Sequence, residues 1–208
     1  YLRNKIGELS RQTSLFPVNT AITFSSKLND GTYMEWRDGR LKISTAKYAV
    51  PGGYFCPSEH LVSAFKKLEQ GTELLLPEEY SLECLFHESV HSGAFGLESI
   101  KEGSIDEAII ENCTQLYARE KYIDIMKLYA VDAVNQETIK QNGYAYRHCV
   151  YIRRYFIVDD KLQLGELLGI AHDAINARNI FDGILKNRFN FDDDYISVVH
   201  SQINFPTK

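Results

Sequence analysis

The sequence predicts an α+β fold: a small, mainly antiparallel sheet near the N-terminus, followed by a helical part. Three observations predict it. Residues 20–25 and 40–45 alternate apolar and polar side chains, the period of a half-buried strand. Asn29-Asp30-Gly31 and Asp38-Gly39 punctuate the same region as turns. From Pro57 onward, apolar residues recur at three- and four-residue steps, the period of helices with one buried face.

Taken in order, residues 1–18 open with a polar, helix-like segment that ends at Pro17. Strands are expected over 20–25, 32–36 and 40–45, with 40–45 (RLKIST) as an open edge. Pro51-Gly52-Gly53 breaks the pattern. Pro57-Ser58-Glu59 then starts a helix through Gln70 that carries Leu61, Ala64, Phe65 and Leu68 on one face, and Gly71 stops it. Pro77-Glu78-Glu79 opens a helix over 78–92. Further helices are expected over 104–121, 122–134, 136–142, 146–158, 162–176 and 178–186, before Asp192-Asp193-Asp194 and a short terminal segment. With no repeat or linker in view, 1–208 reads as one domain: a sheet-rich part, 1–55, and a helical part, 56–208.

Composition narrows the function classes. The chain has 208 residues, 44% hydrophobic and 25% charged, enough to bury a core without metal or disulfide staples. A metal site in such a chain is expected to serve function rather than folding. The net charge of -5 and the scattered basic residues speak against a nucleic-acid partner. No apolar run reaches the roughly 18 residues of a membrane span. Cys56, Cys84, Cys113 and Cys149 contain no C-x-x-C pair and read as buried thiols, which favours a reducing, cytoplasmic compartment. The chain begins at Tyr1, which reads as a processed or trimmed end.

The chemistry concentrates in residues 87–91, HESVH. On the 78–92 helix, Leu82, Leu85, Phe86, Ser89 and Val90 form the core-facing stripe. His87 and His91 share another face one turn apart, so both imidazoles reach one ion. Glu88, next to His87, is placed to touch a water on that ion instead of joining its ligands. Two histidines leave a catalytic zinc site short of one ligand. The following helix offers Glu107 and Glu111. Measured from the centre of its apolar stripe, Glu107 lies at roughly 120° and Glu111 at roughly 160°. That favours Glu107 as third ligand and Glu111 as an acceptor behind His87 or His91.

HESVH followed by SIDEAIIENCTQLYA resembles the gluzincin metallopeptidases, in a minimal single-domain form. The resemblance spans residues 80–120. It implies a zincin-like helical part with the H-E-x-x-H on an active-site helix, Zn2+ as cofactor and a peptide or protein as substrate. His87 and His91 match the histidine ligands, Glu88 the general base and Glu107 the glutamate ligand. Ala108 stands where glycine is frequent in the family, and the His91-to-Glu107 gap is shorter than in its aminopeptidase branch. The metzincin pattern fails, because Ala94 and Leu97 occupy the positions of its Gly and third His.

The mechanism expected of such a site is hydrolysis by a zinc-bound water, with Glu88 carrying its proton to the leaving amine. An oxyanion donor is expected at Tyr146, which opens a helix after the Asn142-Gly143 turn. Two other functions fit the same motif: an inactive zinc-binding interaction domain, and a zinc hydrolase of a non-peptide bond. Intact Glu88 speaks against the first. His60, His148, His172 and His200 have no partner at ligand spacing, and the Asp192–194 run lacks an EF-hand's spacing, so helix capping and solvation are expected there.

Overall fold

A two-residue turn sets the sheet. Asp38 and Gly39 both adopt positive φ, 52° and 70°, the combination that a type I′ hairpin demands. It joins β2, Met34–Arg37, to β3, Arg40–Ser44, in antiparallel register with Arg37 opposite Arg40. The computed structural model describes residues 1–28, 32–142 and 162–203. The turn expected at Asn29-Asp30-Gly31, the helix expected over 146–158, and Tyr146, His148 and Cys149 lie outside them.

β1, Ala21–Ser25, pairs parallel to β3, so the strand order is β1-β3-β2 and the sheet is mixed, not mainly antiparallel. β3 is therefore the central strand, and the open edge expected at 40–45 belongs to β1 and β2. The burial pattern gives the reason. Leu41 and Ile43 are fully buried, whereas no residue of β1 is. Alternation identifies a strand but does not rank it as central or edge. The break at Pro51-Gly52 is itself a turn: Gly52 takes φ 84°, and β4, Tyr48–Val50, pairs antiparallel with β5, Gly53–Phe55.

The chain packs as two compact units, Tyr1–Ser92 with Ala118–Ala145, and Gly93–Tyr117 with Tyr146–Lys208. In the first, α1, Leu2–Thr13, buries Leu2, Ile6 and Leu9 and stops at Ser14, which takes a left-handed conformation. α2, Pro57–Glu69, starts on proline and buries the expected Leu61, Ala64, Phe65 and Leu68. α3, Leu76–Ser92, packs against α2 and β2. α5, Ile123–Lys127, is shorter than the 122–134 helix expected, because Ala130 turns left-handed (φ 53°) and Val131 N–H closes onto Met126 C=O. α6, Gln136–Asn142, follows as expected.

α4, Ile105–Lys121, runs through both units. In the second unit, Ile109, Ile110, Cys113 and Leu116 of α4 share a core with Leu167 and Ile170 of α7, Leu164–His172, and with Phe181 and Leu185 of α8, Ala177–Phe189. α7 stops at His172, short of the expected 176. There Phe95 N–H bonds His172 C=O and Ala174 N–H bonds Phe95 C=O. The tail is a regular helix, α9, Asp193–Ile203, and Asp192 Oδ1 accepts the Tyr195 N–H at 2.9 Å as its cap. Among the described residues, no helix is long and apolar enough to cross a membrane.

Candidate metal centre

α3 is buried on almost every side. Leu82, Leu85 and Val90 of the expected stripe are in the core, and so are Glu78, Glu79, Glu83, His87, Glu88 and His91. A helix that buries so many ionisable groups needs partners for them. At its first turn, Glu78 accepts from Ser63 Oγ (2.6 Å), Lys67 Nζ (2.7 Å) and the Leu75 N–H (2.7 Å). Burial pushes the Glu78 carboxyl up, but these donors outweigh it and hold the group below its ordinary value. Glu79, fully buried, accepts from Tyr122 Oη (2.5 Å), the Asn135 N–H (3.1 Å) and Asn135 Nδ2 (2.9 Å). Both carboxylates also complement the positive end of the helix dipole. They fix α3 against α2 and the 122–135 segment, two turns before the histidines.

His87 and His91 lie as the i, i+4 spacing predicts. Both rings are buried, and their Nε2 atoms stand 2.9 Å apart with the rings at 73°. An ion at the usual zinc–imidazole distance of about 2.0–2.1 Å from each, at a tetrahedral angle, needs a separation of about 3.3 Å. Opening the pair by a few tenths of an ångström would suffice. Two converging, buried imidazole nitrogens are donors that suit zinc.

Of the two glutamates on α4, Glu107 is engaged locally: its carboxylate accepts the Gly103 N–H at 2.5 Å while its own N–H bonds Ser104 Oγ at 3.2 Å. Ser104-Ile105-Asp106-Glu107 thus works as a helix start of the capping-box kind, a signal present in the sequence as S-x-x-E. Distance from the apolar stripe ranks Glu107 above Glu111 only where the polar face of α4 is solvated. α4 instead buries Asn112, Thr114, Gln115 and Arg119 as well. Angular distance from the stripe therefore says little about access to a ligand.

Glu88 is 8% exposed, and its Oε2 accepts the Trp36 N–H at 2.6 Å. Sequence reasoning missed this partner, since a main-chain donor leaves no trace in residue types. Cys84, one turn before Glu88, is a free, buried thiol, and burial raises it well above its ordinary value. Cys56 and Cys113 are likewise free and buried. His60 Nδ1 accepts the Cys56 N–H at 3.0 Å, and His200 Nε2 lies 2.7 Å from Asp182 Oδ1. Comparison with known protein families, with curated proteins and with solved structures found no match to this chain.

Proposed function

We propose that the chain is a zinc-dependent metallopeptidase in which His87, His91 and Glu111 hold the ion and Glu88 is the general base. The observation that carries the reading is the pair of buried imidazole nitrogens 2.9 Å apart on one helix. A zinc ion there would supply Lewis-acid polarisation of the scissile carbonyl and acidify a water. Glu88 would take a proton from the attacking water and deliver it to the leaving amine. The Trp36 N–H donates to its Oε2 at 2.6 Å. Glu107, the ligand expected from the resemblance, is assigned to the helix start instead, because its carboxylate is engaged at Gly103.

The test is metal content by elemental analysis on protein purified without chelator or metal-affinity resin, followed by a panel of denatured proteins and peptides. About one zinc per chain, with cleavage abolished by chelator, supports the proposal. Bound zinc without cleavage leaves an inactive zinc-binding domain or a hydrolase of another bond. No zinc, and none taken up, ends the metallopeptidase reading.

A further inference from the structure

The register of β2 decides where its main chain points. Ser44 donates its N–H to the Tyr33 carbonyl at 3.0 Å, and Glu35 and Arg37 stand opposite Lys42 and Arg40. Residues 33, 35 and 37 therefore face β3 in the ladder, and Met34 and Trp36 direct their N–H groups off the outer edge of the sheet. From that edge the Trp36 N–H meets Glu88 Oε2 at 2.6 Å, the short distance of a bond to a carboxylate. The contact joins residues 52 positions apart, with the Trp36 ring set against Phe16 at 5.7 Å between centroids. A two-residue turn leaves the strand little freedom to slide.

We propose that the Trp36 amide is a positioning group for the general base, fixing the carboxylate of Glu88. This rests on the reading of Glu88 as the base. The amide touches neither the histidines nor Glu88's proton. It sets which way the carboxylate faces, and small misplacements of a catalytic group are costly. The same N–H is thereby withheld from an extended substrate: a peptide added to the β2 edge has to pair without it.

The experiment replaces the Trp36 amide by an ester, using the α-hydroxy analogue of tryptophan, which deletes the N–H and leaves every side chain in place. On a peptide cleaved in the panel above, kcat should fall about tenfold or more, with KM within about twofold and zinc content unchanged. An ester at Met34, the other outward N–H, serves as the control and should leave kcat alone. A second readout needs neither metal nor turnover: hydrogen exchange at the Trp36 amide should speed up about tenfold or more in Glu88→Ala. Unchanged exchange overturns the contact. Faster exchange with a Trp36 ester as active as the Met34 ester overturns the positioning role. Faster exchange in a chain that cleaves nothing overturns the proposed function and the role with it, while the contact stands.

Discussion

His87 Nε2 lies 2.9 Å from His91 Nε2, and both imidazoles are buried. If they share an ion as proposed, each ring is a ligand. His87→Ala and His91→Ala should each weaken zinc binding by more than the roughly 10–100-fold that losing an outer-shell partner costs. Competition against a chromogenic chelator measures this. A variant that keeps wild-type zinc affinity would remove that histidine from the site.

Glu111 and Glu107 sit one helical turn apart on α4 and should behave oppositely. Glu111→Ala should lose zinc and, with it, hydrolysis. Glu107→Ala should keep both and lose only its cap, about 1 kcal/mol, which in a protein of this size lowers Tm by about 2–4 °C. Zinc titration and a thermal melt on the two variants decide between them. Zinc loss in Glu107→Ala with retention in Glu111→Ala would reverse the assignment.

The contrast between these two glutamates shows what the sequence made legible. Helical period and turn residues placed α2, α3, α4 and α6 almost to the residue, because local chemistry sets helix starts and stops. The i, i+4 histidines converge because helix geometry alone brings them together. Neither the central position of β3 nor the Glu88 partner of the Trp36 N–H has a local signature. Both depend on contacts between segments distant in sequence. The S-x-x-E start at Ser104–Glu107 is a local signal as well, whereas angle from the apolar stripe is a poor guide on a helix whose polar residues are buried too.

Glu88→Gln keeps the shape of the side chain and an oxygen to accept the Trp36 N–H, but not the basicity. Zinc content should therefore stay at the wild-type value, while kcat/KM falls by about 10²–10⁴-fold, the usual contribution of a positioned base. Steady-state hydrolysis beside metal analysis of the same sample is the check. Undiminished hydrolysis in Glu88→Gln would sink the base assignment.

Glu78 predicts a pH dependence of stability independent of any metal. Burial raises its carboxyl, but Lys67, Ser63 and the Leu75 N–H together hold it below the ordinary value of 4.5. A depressed folded-state value means that the folded chain binds this proton less readily than the unfolded one. The stabilisation is thus complete above the ordinary value and is lost as pH falls through the lower, folded one. Glu78→Gln removes the charge and should cost about 1.5–3 kcal/mol near neutrality, the range for hydrogen bonds to a charged group. Urea midpoints for wild type and variant should differ most above pH 4.5 and converge as the medium becomes more acidic. A gap that stays constant across that window would mean that the Glu78 charge contributes nothing and that its hydrogen-bonded shape alone anchors α3.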